Sequence, residues 1–398
     1  MGAPPRGAGP LGLQGGWLPP ATRHVIGLKS VRSPGRVSYR PVLAAWGAVV
    51  VALERTERPK VDLVLEGGGV KGIALVGAVL KLSQSGYVFP RVAGASAGAI
   101  VAALVAAHQV AGRPLSNLET IMASVDYSKF QDEEPLERLT GPLGKIVELL
   151  LHMGIAKGDY LVEWLGNVLA DLGVHTFADL AISDSDDPGT GLPADQRFRL
   201  VVHTSDISRG ALVRLPWDYP YYGKDPAAMR VVDAVRASMS IPFFFRPVSF
   251  PTPGGKVTWV DGGMLSNFPI TVFDRTDGKP QRWPTWGVKL SARPAALQVD
   301  RRVGNDFELA RSCLQTLLAG WDRYHLDDEF VTARTVFIDC ASISSINFAI
   351  TAAEQTQLFD SGRSAAASYL AAQQPPKNVG SPTSPSQDTG AMAAGENP

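Results

Sequence analysis

The chain has 398 residues, 45% of them apolar, and its 38 Lys and Arg are balanced by 38 Asp and Glu. This suits one large α/β domain with irregular ends, and the absence of net charge excludes a bulk electrostatic pull toward nucleic acid or an anionic membrane. Two cysteines, Cys313 and Cys340, can neither build a disulfide framework nor match metal-ligand spacing, so both are expected in the core of a protein kept in a reducing compartment.

Residues 1–40 carry Arg6, Arg23, Lys29, Arg32, Arg36 and Arg40 without one acid, are rich in Gly and Pro, and lack periodicity, which predicts a disordered basic arm. The apolar run Pro41–Leu53 is too short to span a bilayer and lies too far from Met1 for a typical signal peptide. It reads as a buried strand or as sequence upstream of the true start, with a secretion or membrane-docking segment as the alternative. Organisation is therefore expected as an arm over 1–58, a folded domain over 59–371 and a disordered tail over 372–398, located in the cytoplasm or at a membrane periphery.

From Val61 the texture changes. Val61–Glu66 predicts a short buried strand, and Ile73–Leu82 an apolar helix. Tyr87–Ala93 predicts a second strand, and Ala97–Ala107 a helix buried nearly all round. Strand–turn–helix twice over argues for a mainly parallel sheet with helices on both faces. Residues 114–190 read as helical, with a surface loop over Ser183–Asp195. Their apolar faces serve either as ordinary core or as a cap over an apolar substrate. Strands are predicted at Phe198–His203, Ala211–Leu215, Val257–Val260, Trp286–Leu290 and Thr335–Ile338, and helices at Pro226–Ser238, Phe307–Arg323 and Thr351–Leu370.

The turn Glu66-Gly67-Gly68-Gly69-Val70-Lys71-Gly72 follows a strand and opens a helix, as a dinucleotide fingerprint does. That fingerprint needs an acid about 20 residues on. None lies between Glu66 and Glu119, and Ile73 stands where a phosphate loop requires Lys and Ser or Thr. What remains is a helix N-terminus behind three glycines, whose N–H groups could meet an anion or an oxyanion. Gly94-Ala95-Ser96-Ala97-Gly98 matches the nucleophile elbow, a weak pattern alone but one set here between a strand and a buried helix. Asp261-Gly262-Gly263 would put a carboxylate at the end of the Val257–Val260 strand, either as the base for Ser96 or as a turn-forming Asp-Gly.

In that order, GGGVKG, GASAG and DGG resemble the motifs of the patatin-like phospholipases, and Ala237–Pro247 resembles that family's segment ahead of its catalytic Asp. The resemblance runs from about Val61 to Gly263. It implies a three-layer patatin-like fold and a serine acyl hydrolase with a Ser-Asp dyad, needing neither cofactor nor metal. Ser96 would be the nucleophile and Asp261 its base. Gly67, Gly68, Gly69 and the Ala97 N–H would form the oxyanion hole, with Lys71, Gly72, Gly94, Gly98, Gly262 and Gly263 supporting the motifs. A free Asp titrates near 3.9, so desolvation beside groups such as Trp259 would have to raise it. The implied substrate is a phospholipid or other fatty-acyl ester, with Phe243, Phe244 and Phe245 as apolar lining or plain core, peripheral membrane contact, and no nucleic-acid partner. A lipid-binding scaffold that has lost turnover, or an acyltransferase using the same residues, are the alternatives.

Overall fold

The computed structural model describes residues 58–126, 129, 158–183, 191–242, 244–291, 329–340, 343, 345 and 349–373. The expectations for the arm, the 41–53 run, the tail, Phe243, the 307–323 helix, Cys313, His325 and much of 114–190 lie outside the described residues.

The first strand, β1 (Asp62–Leu65), is buried at all four positions because it has parallel neighbours on both edges, β2 (Val92–Ala95) and β7 (Thr285–Lys289). Such a strand must be apolar on both faces. Its one charged member, Asp62, is paired with Arg91, whose guanidinium lies 4.4 Å from the Phe273 ring centroid. The sheet runs β5–β6–β3–β2–β1–β7–β8. The remaining strands are β3 (Leu200–Asp206), β4 (Ala211–Leu215), β5 (Val248–Thr252), β6 (Gly255–Asp261) and β8 (Thr335–Phe337). Its centre is parallel, as expected, and antiparallel pairs occupy one side: β3 with β4, β3 with β6, and β5 with β6. The sequence does not signal β5, whose residues alternate between half-buried and exposed.

The helices around the sheet are α1 (Gly72–Gln84), α2 (Ala97–Val110), α3 (Asn117–Ala123), α4 (Asp159–Asp171), α5 (Val231–Ser238), α6 (Gly263–Ser266), α7 (Glu329–Ala333) and α8 (Ala352–Gln373). Every residue of α2 from Ala97 to His108 is buried, which accounts for its uniformly small and apolar composition. The backbones of α1 and α8 come into direct contact. A Cβ on Gly77 would fall 2.1 Å from the Phe359 carbonyl oxygen, and one on Gly362 would fall 1.9 Å from that of Ala74. No helix among the described residues is long and apolar enough to cross a membrane.

The site depends on how β3 shares its edges. Because β4 pairs with Val202–Asp206, both β2, on Leu200–His203, and β6, on Thr204–Asp206, must use the other edge. Along that edge β2 stops at Ala95, opposite His203, and β6 arrives from the other direction with Asp261 opposite Thr204. The residue after Ala95 is therefore brought beside the last residue of β6.

Candidate active site

Ser96 stands at the strand-to-helix turn with φ 52° and ψ −126°, the only non-glycine at positive φ among the described residues. Holding a side chain there costs on the order of 1–3 kcal/mol, and such strain persists only where the surroundings enforce it. Here the enforcement comes from close backbone packing. A Cβ on Gly94 would lie 2.4 Å from the Gly98 carbonyl, and one on Gly98 would lie 2.3 Å from the Leu65 carbonyl oxygen. The Ser96 N–H donates to Ser238 Oγ at 2.8 Å, and the Ser238 hydroxyl donates to the His203 carbonyl at 2.6 Å, tying the turn to β3.

Asp261 is 2% exposed, its N–H donates to the Ser240 carbonyl at 2.9 Å, and its Oδ1 accepts the Gly263 N–H at 2.7 Å. Oδ2 is buried without a hydrogen-bond partner. Burial raises the carboxyl from 3.8 to about 7, against the opposing influence of the Ser96 hydroxyl and the Gly263 N–H. The Ser96 hydroxyl is thus a close neighbour of the carboxylate, yet it points at Met239 Sδ, 3.5 Å away. A sulfur is a weak acceptor, so rotation of χ1 toward Oδ2 exchanges a poor contact for a charge-assisted one. Gly262 cannot carry a side chain, since a Cβ would meet the His203 carbonyl oxygen at 2.2 Å.

In the glycine turn, Gly69–Lys71 form a short 3-10 turn ahead of α1, with Gly69 at φ 56°. The Gly67 N–H donates to the Asn267 carbonyl at 3.0 Å, so it is committed within the protein and is not available as the oxyanion donor the resemblance implies. The N–H groups of Gly68, Gly69 and Ala97 donate to no atom among the described residues. Gly72 brings the two helix N-termini together, a Cβ there falling 3.2 Å from that of Ala97. Half-buried Lys71 closes the turn through its own N–H, bonded to the Gly68 carbonyl at 3.2 Å.

Sequence reasoning assigns no role to four residues that brace this arrangement. Ser238 and Met239 lie inside the Ala237–Pro247 segment already singled out. Asn267, just beyond the Asp-Gly-Gly turn, donates through Nδ2 to the Gly67 carbonyl at 2.9 Å. Glu66 pairs with Lys289 beneath the turn and accepts the Leu290 N–H. Of the phenylalanine run, Phe245 is 2% exposed and belongs to the core, while Phe244 is half-buried. Trp259 is likewise core, 4.6 Å from Phe250 and 4.9 Å from Tyr222 between ring centroids. His203 is buried in β3, where burial and the Arg214 charge push its imidazole down to about 3, so it is neutral. No group of three or more His, Cys, Asp or Glu side chains able to hold a metal ion occurs among the described residues.

The sequence profile described as Patatin-like phospholipase matches residues 63–274, which take in the glycine turn, the strained serine and the buried aspartate. The chain belongs to the patatin-like phospholipase family. This patatin-like protein is 33% identical over 307 residues to the uncharacterized protein YqhO of Bacillus subtilis, across 76% of this chain and 95% of that one. It is 31% identical over 246 residues to an uncharacterized NTE family protein of Mycobacterium tuberculosis, across 61% of this chain and 33% of the relative, so it spans about a third of that longer protein. Among solved structures, VipD from Legionella pneumophila aligns at a TM-score of 0.43 and 17% identity over 79% of this chain and 67% of its own. The type III effector ExoU aligns at 0.41 and 19% over 79% and 53%. Family membership supports lipid acyl hydrolysis as the general activity.

Proposed function

We propose that this patatin-like protein hydrolyses fatty-acyl esters of the phospholipase A or lysophospholipase type through a Ser96–Asp261 dyad and an acyl-enzyme. The observation that carries the reading is a strained serine beside a buried carboxylate whose one free oxygen, Oδ2, has no partner and whose pKa sits near the working pH of a general base. Asp261 Oδ2 takes the Ser96 proton as Oγ attacks the ester carbonyl, and the carbonyl electrons move onto oxygen. The N–H groups of Gly68, Gly69 and Ala97, at two adjacent helix N-termini, are the donors suited to that oxyanion. Collapse of the tetrahedral centre breaks the ester C–O bond, and the departing alcohol takes the proton back from Asp261. Water, deprotonated by Asp261, then attacks the acyl-enzyme, and Ser96 leaves as the hydroxyl. No histidine takes part in either step.

The test is labelling by a fluorophosphonate together with hydrolysis of p-nitrophenyl butyrate, wild type against Ser96→Ala. The variant is expected to fold, to escape labelling, and to lose at least about three orders of magnitude in turnover. A folded variant that keeps most of its activity removes Ser96 from the mechanism.

A further inference from the structure

Of the N–H groups suited to the oxyanion, those of Gly68 and Gly69 belong to successive peptides of one turn, and each has to be aimed. Both peptides are trans. In a planar trans peptide the C=O and the N–H point opposite ways, so whatever holds the carbonyl of one residue directs the N–H of the next. The Gly69 N–H is aimed locally, because the Gly68 carbonyl accepts the Lys71 N–H at 3.2 Å. The Gly68 N–H is aimed from 200 residues away, because the Gly67 carbonyl accepts Asn267 Nδ2 at 2.9 Å.

Asn267 grips Gly67 a second time, since the Gly67 N–H donates to the Asn267 carbonyl at 3.0 Å. With both backbone polar groups of this glycine held by one partner, its peptide planes cannot turn, and the Gly68 N–H is left pointing away from Asn267. The approach is close enough to require glycine, a Cβ on Gly67 falling 2.3 Å from Asn267 Oδ1.

The orientation of the Asn267 amide is itself fixed. Nδ2 lies 3.5 Å from Glu66 Oε1 as well as beside the Gly67 carbonyl, so turning the amide over would set Oδ1 against two oxygens. Glu66 is in turn held by Lys289 and by the Leu290 N–H. On its other side Asn267 ends α6, the short helix that follows Asp261, and a Cβ on Gly263 would fall 2.6 Å from Oδ1. The side chain that directs the Gly68 donor is therefore carried on the turn that carries the base.

We propose that Asn267 is a positioning residue for the oxyanion site, directing the Gly68 N–H through the Gly67 carbonyl and locking the glycine turn to the Asp261 turn. This rests on the Ser96–Asp261 reading and adds to it the residue that keeps base and oxyanion donor in register. Asn267 acts on the reaction through Gly68, while the Gly69 and Ala97 donors keep their own supports.

A double-mutant cycle in the full chain with p-nitrophenyl butyrate tests it. Asn267 is half-buried, and Asn267→Ala removes Nδ2 while leaving the backbone bond to Gly67 in place. It should lower kcat about a hundredfold, on the scale of one oxyanion donor, with KM within about twofold of wild type. In a Gly68→Val background, where that donor is already displaced, the same substitution should cost about threefold or less. Asn267→Asp, a second variant that keeps the volume but puts oxygen against the Gly67 carbonyl, should lose as much as Asn267→Ala. Equal factors in the two backgrounds, a loss confined to KM, or a lowered melting temperature with kcat per folded molecule intact overturns the role of Asn267 and leaves the dyad standing. A folded wild type that neither hydrolyses the ester nor takes the fluorophosphonate overturns the dyad, and the role of Asn267 with it.

Discussion

Replacing Asp261 by Asn should yield a protein that is nearly inactive and yet more stable at neutral and alkaline pH. Burial lifts this carboxyl from 3.8 to about 7 in the folded chain, so the native state holds a proton that the unfolded chain releases. The sign follows: wild-type stability is undiminished below about pH 4, falls as pH rises through the window from about 4 to about 7, and is level above it. The full displacement corresponds to about 4 kcal/mol as an upper bound, at about 1.4 kcal/mol per pH unit. An amide carries no charge to desolvate and can still accept the Gly263 N–H through its oxygen. Urea unfolding of both proteins should therefore give a stability gap in favour of the variant of at least about 2 kcal/mol near pH 8, shrinking toward zero near pH 4. In parallel, wild-type kcat/KM should fall about tenfold between its plateau and about pH 6, because a base titrating near 7 is then only about one-tenth ionised. The variant should lose about a thousandfold or more. A variant no more stable than wild type near pH 8, a gap that does not change with pH, or a flat activity profile down to about pH 5 would refute the reasoning.

Gly68→Val should cost turnover more than stability. Gly68 lies outside the left-handed region at φ −174°, and the added Cβ would collide with the end of one side chain, the Leu290 Cδ1 methyl at 2.4 Å, and touch the Lys71 Cβ at 3.6 Å, while a displaced N–H donor is worth about 3 kcal/mol at the transition state. A sharp fall in melting temperature with activity per folded molecule intact would make the turn purely structural. Gly77→Ala should do the reverse, lowering stability by about 3 kcal/mol through collision with the Phe359 carbonyl, with kcat of the folded fraction preserved. Steady-state kinetics beside thermal melts would expose a contrary result. His325→Ala should keep activity within a few fold, because the dyad uses no histidine; a dead His325→Ala with an active Asp261→Asn would restore a Ser-Asp-His triad in its place.

Local chemistry in the sequence reaches as far as backbone conformation does. Gly94 and Gly98 around Ser96 announce a strained strand-to-helix turn because only a missing Cβ permits the 2.4 and 2.3 Å approaches found there. The all-buried α2 and β1 are legible for the same reason, since composition records how many faces are covered. The need to desolvate the aspartate follows from its free pKa. Partner choice across the chain is a different matter, decided by which strand edges and carbonyls remain free after the sheet assembles. The sequence marks Ser96 and Asp261 as candidates, but only the shared edge of β3 makes them neighbours. Nothing local tells that Gly67 spends its N–H on Asn267, or that Ser238 bridges the Ser96 N–H to His203. Phe245 looks the same in sequence whether it lines a pocket or fills the core, because apolar character fixes that a ring is buried and the fold decides against what. His203 shows the limit most plainly: a histidine in a strand is unremarkable until the tertiary structure buries it and hangs the Ser238 hydroxyl on its carbonyl.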